Sequence, residues 1–279
     1  MARTSPTFRR RRLARRIRQL REASGLTQEA AAAGLDMSTS ALSRKETGEV
    51  ATSVHEVRSM MDLYDVYDPD LLDLARAAKE KPWWHMYGIK KRGYYDLEQE
   101  ASSVRDWQLN LIPGMFQTEE YARALFSASG SLDDDEVENA VTARMLRRTQ
   151  LVDEDFPLSY SAVVDESALR RPVGGADVMH RQLKQLVEYA GLPNVSIQVL
   201  PSSVGQHRGL DGPFTLLSYA DPAEPDILYI EHATGSLHIE RADAVSVATL
   251  TFERLRATAL NTVDSAALVD RLATELWSE

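Results

Sequence analysis

The chain has 279 residues, no cysteine, 43% apolar residues and a formal net charge of −10. Without cysteine it forms no disulfide, has no thiol nucleophile and builds no cysteine-based zinc finger. The acidic balance argues against a protein coated in nucleic acid. No stretch approaches the ~20 apolar residues of a membrane span or resembles a secretory leader, so the chain reads as cytoplasmic.

That charge is uneven. Residues 1–50 hold 11 Lys and Arg against 5 Asp and Glu, a net of +6, and the remainder carries −16. Nine arginines precede the first acid, Glu22, with Arg9, Arg10, Arg11 and Arg12 consecutive. Such a block attracts phosphate and releases counterions, whereas the acidic body discourages nonspecific wrapping. An arginine-rich start also fits a transit peptide or a membrane-surface helix. Its apolar stripe (Leu13, Ile17, Leu20) is narrow and lacks Trp, however, and the arginines run into a helix that the next motif needs.

Residues 27–48 read as a short helix, a tight turn and a second helix. Thr27 caps the first, the run Ala30 to Ala33 propagates it, Gly34 permits the exit, and Leu35 and Met37 form a buried corner. Ser38 caps the second helix, on which Thr39, Ser40, Ser43 and Arg44 lie within roughly 140° of one another, with Leu42 turned to the core. A small polar face with one guanidinium suits base edges in a major groove. The same spacing also fits a helical hairpin in an ordinary all-α domain.

The segments IRQLREASGLTQ (17–28) and STSALSRKETG (38–48) resemble the Xre/phage-repressor helix-turn-helix family of actinobacterial type. The resemblance implies that Gln28 fixes its helix on the phosphate backbone and that Thr39, Ser40 and Arg44 face bases. It also implies an ion pair between Arg21 and Glu46 that braces the first and third helices. Lys45 departs from the pattern, where an apolar residue is usual; its stem is expected to snorkel over the core and its ammonium to add a phosphate contact. The expected DNA-binding set is Gln28, Ser38, Thr39, Ser40, Ser43, Arg44 and Lys45, with Arg9 to Arg12.

Thr52 or Ser53 caps a fourth helix and Asp68-Pro69 opens a fifth, completing an all-α domain over 1–80. An aromatic and basic connector (81–96) follows Lys81-Pro82, its tyrosines and tryptophans read as structural glue. Residues 97–279 form a mixed α+β domain, so the fold class is α+β. Residues 97–109 are open between strand and helix, and Thr118 and the acidic run Asp133 to Glu138 begin helices. Strands are expected at 158–164, 195–200, 214–218, 227–230 and 237–239. Helices are expected at 176–190, 243–260 and 264–276.

Residues 95–277 also resemble the C-terminal domain of antitoxin-like (Scr-type) regulators. That likeness rests on YYDLEQEASSVRDWQLNLIPGMFQTEEYARAL, VDESALRRPVGGADVMHRQLKQL, VSIQVLP and GPFTLLSY. It implies a small neighbour-encoded protein as partner.

Chemistry in this domain has weaker signals. His232 and His238 would need Glu231 or Glu240 to hold zinc. Asp165-Glu166 and Glu98-x-Glu100 lack a nucleophile, Ser167 lacks an elbow, and PVGGAD lacks the lysine of a phosphate loop. No catalytic residue, metal or cofactor is assigned, and the chain is expected not to be an enzyme. The expected function is a sequence-specific regulator whose large domain binds a small protein; the alternative is a one-component sensor of a small molecule. One recognition helix reads too few base pairs to find a site in a genome, so a homodimer on an inverted repeat is expected. Its contact is expected near Leu268, Leu272 and Leu276.

Overall fold

The structure, a computed structural model, describes residues 7–80, 83–88 and 93–277. It divides into two units, Met1–Pro82 and Trp83–Glu279. Lys81-Pro82 and residues 89–92 of the aromatic segment lie outside the described residues.

The first unit is five helices: α1 (Phe8–Ala23), α2 (Gln28–Gly34), α3 (Thr39–Glu46), α4 (Val54–Tyr64) and α5 (Pro69–Ala77). Side-chain caps set every start. Thr7, Thr27, Ser38, Ser53 and Asp68 each accept from a backbone N–H of the following turn. Ser53 and Glu56 form a capping box, and Pro69 occupies the first turn of α5, where its missing N–H is no loss. Leu13 and Ile17 of α1, Ala31 and Ala32 of α2, Leu42 of α3, Val57, Met60 and Met61 of α4, and Leu71 of α5 close on one core. Each of the larger side chains contributes roughly 1.5–3 kcal/mol by leaving water.

Gly34 has a different reason from the expected one. It ends α2 without a positive φ, and a Cβ there would lie 2.8 Å from Leu63 Cδ1, so its role is close packing of α2 on α4. The left-handed residue of the turn is Asp36, at φ 52°. Leu35 and Met37 are half-buried against the core, as the corner requires.

The second unit opens with a 3-10 turn at Trp83–Tyr87, then α6 (Gly93–Gln99), β1 (Ser103–Gln108), α7 (Glu119–Ala128) and α8 (Asp134–Arg147). It continues through β2 (Ser159–Asp165), α9 (Glu166–Arg170), α10 (Ala176–Tyr189), β3 (Val195–Leu200), β4 (Phe214–Ser218), β5 (Ile227–His232) and β6 (Gly235–Ile239), and closes with α11 (Ala242–Thr258) and α12 (Thr262–Trp277). The six strands form one mixed sheet in the order β3-β2-β1-β4-β5-β6, parallel on one side of β1 and antiparallel on the other. The molecule is thus an all-α unit followed by a mixed α and β unit, the expected class.

Helix α11 lies on one face of this sheet, where Val245, Ala248, Phe252 and Leu255 pack on Trp107, Val163, Leu200, Leu216 and Leu228. On the other face the strand register sets Asp106, Thr215, Tyr229 and His238 side by side across β1, β4, β5 and β6.

Three expectations change here. Residues 97–109 hold both a helix end and a strand, and β1 is central to the sheet. The tryptophans and tyrosines of the expected connector belong to the second unit: Trp84 is buried, and Trp83 meets Trp84, Tyr87 and Tyr95 edge-on at 5.8–6.1 Å. Leu268 and Leu272 are buried where α12 packs on α10 and β3, so they are core and leave only Leu276 half-exposed for any dimer contact.

Candidate nucleic-acid interface

Helix α3 offers a graded surface. Leu42 is fully buried, Thr39 and Ser43 are half-buried, and Ser40 and Arg44 are exposed. The Ser38 hydroxyl accepts from the Ala41 N–H at 3.2 Å and lies 3.1 Å from the Ser40 hydroxyl. The Arg44 side chain lies along its own helix, Nε donating to the Ser40 carbonyl at 3.3 Å. This stripe of hydroxyls with one guanidinium has the chemistry that reads base edges, arginine to guanine above all.

What holds that stripe in place is a buried charge cluster. Arg21 of α1 donates from Nε and Nη2 to Glu46 of α3 at 2.6 and 3.1 Å, and from Nη1 to the Leu26 carbonyl at 2.8 Å. Gln28 of α2 adds its amide N–H to Glu46 Oε2 at 2.9 Å. One carboxylate therefore ties the ends of three helices. The bond to Glu46 raises the Arg21 guanidinium above its ordinary value. Burial pushes the neighbouring Tyr64 phenol to about 12, with the Glu46 charge adding to the effect.

The structure brings Arg21 and Glu46 together as expected and turns two other residues inward. Gln28, expected on phosphate, directs its N–H at Glu46, whose ionised carboxylate has a lone pair left to accept it. Lys45, expected to add a phosphate contact, is buried, with its ammonium on the Ala51 carbonyl at 3.1 Å and on Glu56 at 2.9 Å. The stem does not carry the head out to water, as snorkelling would; the head finds its partners within the unit. Sequence reading missed Glu56, although the Ser53-x-x-Glu56 spacing of a capping box was there to find it.

The arginine block is also partly neutralised at home. Arg9 to Arg12 lie in the first turns of α1 and are half-buried, with Arg9 on Glu80 at 3.4 Å and Arg11 over the Phe8 ring at 6.0 Å. Further along α1, Arg16 pairs with Asp68 and Arg18 with Glu22, both at 2.8 Å. The block is helix surface, not a solvated arm.

In the second unit the candidate carboxylates are structural. Arg147 of α8 grips Glu98 of α6 through two bonds of 2.5 and 2.7 Å, beneath the rings of Tyr94 and Tyr95. Asp106 accepts from the Tyr160 hydroxyl at 2.7 Å, the Thr215 hydroxyl at 2.9 Å and the Gln108 amide at 3.0 Å. Asp165 caps α9, Glu166 accepts the Ser202 N–H, and Ser167 donates to the Leu109 carbonyl. His232 stands opposite Gly235 at the hairpin end, whereas His238 stands opposite Tyr229, so the two do not converge. Among the described residues no cluster of three ligands could hold a metal. Nor, among them, is any helix long and apolar enough to cross a membrane.

Comparison with known proteins assigns both units. Residues 12–75 match a family described as a helix-turn-helix domain, and residues 92–271 match one described as a domain of unknown function, DUF5753. No match was found among curated proteins or among solved structures. The helix-turn-helix domain supports a DNA-binding regulator, and the second family covers more than half of the chain, which therefore belongs to the DUF5753 family.

Proposed function

We propose that this protein is a sequence-specific transcriptional regulator of the Xre, actinobacterial and antitoxin-like type. It binds an inverted-repeat operator as a homodimer, and its second unit binds a small neighbour-encoded protein. The observation that carries the reading is the exposed Ser40 and Arg44 on a helix whose far end is fastened by buried charges. Base readout needs a side chain free to reach out from a backbone that does not move.

A two-fold dimer doubles the few base pairs that one helix reads and sets half-sites about 34 Å apart. For the second unit, a protein partner is supported by exposed apolar residues such as Val247 and Leu250 on α11 and by an interior where Tyr160 donates to Asp106 and the Tyr94 ring packs on Tyr229. The role is binding: the buried Glu98 and Asp106 hold buried donors and Asp165 caps α9.

Selection of genomic fragments by the full-length protein, with and without the coexpressed neighbour, tests the whole reading. Enrichment of one inverted repeat, shifted by the neighbour, is expected. Fragments without a common sequence would overturn it. A melting temperature raised by a small metabolite and unaffected by the neighbour would make the second unit a sensor instead.

A further inference from the structure

Glu56 closes the capping box of α4, and Lys45, expected on phosphate, meets it there. They lie in different helices, yet the Lys45 ammonium reaches Glu56 Oε1 at 2.9 Å and the Ala51 carbonyl at 3.1 Å. The other oxygen of the same carboxylate, Oε2, accepts the Ser53 N–H at 2.7 Å and so closes the capping box of α4. Glu56 is thus shared between the first turn of α4 and the last turn of α3. Burial pushes its carboxyl up, but the Ser53 amide and the Lys45 ammonium outweigh this and hold it below its ordinary value.

The chain between the two helices is fastened at the same place. The Val50 N–H donates to the Arg44 carbonyl at 3.1 Å, and Gly48, at φ 74°, lies against the backbone of Arg10 and Arg11. Arg44, the base-reading candidate, is therefore followed at once by Lys45, anchored to α4, and Glu46, anchored to α1 and α2. Two opposite charges in succession pull the end of α3 toward different helices. Such an arrangement fixes rotation of α3 about its axis, and rotation decides where Ser40 and Arg44 point.

We propose that Lys45 and Glu56 are positioning residues for DNA recognition: their ion pair sets the angle of the recognition helix, and the Lys45 ammonium does not bind phosphate. This rests on the reading of α3 as the recognition helix.

The test uses full-length protein and duplexes that the wild type selects from a random pool. Binding to the best duplex and to its single-base-pair variants is measured across a salt series. Lys45→Met keeps the buried stem and removes the charge. Glu56→Gln keeps an oxygen for the Ser53 N–H and removes the partner charge. Each is expected to weaken the best duplex about threefold to tenfold and to narrow its advantage over the variants, with the double variant no worse than either single one. The slope of log affinity against log salt should stay at the wild-type value.

Glu56→Gln makes the decision sharp, because deleting an acid from a DNA-binding unit strengthens binding if only net charge matters. Stronger binding by Glu56→Gln, or a slope reduced by about one in Lys45→Met, overturns the proposal. Arg44→Ala separates the two levels. If it leaves base preference untouched, the recognition-helix reading falls and takes the clamp with it; if preference relaxes at one position, a failure of the Lys45 and Glu56 variants falls on the clamp alone.

Discussion

Among the described residues each unit buries a bidentate arginine–glutamate pair, and the two do different work. Arg21–Glu46 joins residues 25 apart and shares its carboxylate with Gln28, at the end of a helix whose other side faces solvent. Arg147–Glu98 joins residues 49 apart and is closed over by Tyr94 and Tyr95 at 5.1 and 5.2 Å. Burial pulls the Arg147 guanidinium down, but Glu98 outweighs it and leaves it well above its ordinary value. A buried ion pair is weak evidence for stability, since desolvation offsets much of the attraction. Its consequence is geometric: the first pair aims a surface, and the second fixes how α6 meets α8.

The largest expected effects come from breaking the enclosed pair. Glu98→Gln or Arg147→Met leaves the partner buried without compensation and should cost about 3–5 kcal/mol. Replacing both by apolar residues should recover much of that loss. All four tryptophans lie in the second unit, so fluorescence during denaturant unfolding reports this unit alone. A double variant as unstable as the single ones would show that the pair contributes more than mutual neutralisation.

Arg21→Ala should cost about 3 kcal/mol, at the lower end because water reaches Glu46 more readily from the edge of a small helical unit. The loss should appear in helical circular dichroism and in operator binding, with tryptophan fluorescence unchanged. Unaltered operator binding at wild-type helicity would sink the claim that this pair aims α3.

The same contrast explains what is legible in the chain. Arg21 and Glu46 sit at set positions of a compact motif, so the family resemblance implies their meeting, while the caps Thr27 and Ser38 are legible in the residues themselves and the next cap is narrowed to Thr52 or Ser53. Arg147 and Glu98 meet only through the packing of α8 on α6, which no local pattern announces. Strand β1 is hidden for a related reason: Arg105 and Asp106 interrupt its apolar alternation, because Asp106 is buried against hydroxyls that arrive from β2 and β4. The DNA surface is half legible. Ser40 and Arg44 lie outward as helical phase requires, but the positions of Gln28 and Lys45 depend on acceptors within the unit, the buried Glu46 and the part-exposed Glu56.

Arg44→Ala should move function without moving stability. Its side chain is exposed, so helicity and melting should hold, while the loss of base contacts weakens operator binding by roughly 1–3 kcal/mol and relaxes preference at one position. Titration of an operator and its single-base variants decides it. An even loss across all variants would reassign Arg44 to the phosphate backbone.

The smallest expected effect is a slope, and it belongs to the enclosed side of the second unit. Burial raises the Asp106 carboxyl above its ordinary 3.8, the Tyr160, Gln108 and Thr215 donors lower it without cancelling that rise, and the Glu98 charge adds to it. The folded state therefore keeps a proton in a range of pH where the unfolded chain has released it. The stability this brings is complete below 3.8 and is lost as pH rises through the raised value. Asp106→Asn carries no proton in either state, so the wild type should lose stability relative to this variant over that window and run parallel to it above. Denaturant unfolding followed by tryptophan fluorescence, at several pH values from 4 to 7, measures the difference with the other carboxylates cancelling. A wild type that gains on the variant as pH rises would mean that the three donors outweigh burial, making Asp106 a stabilised anion like Glu56.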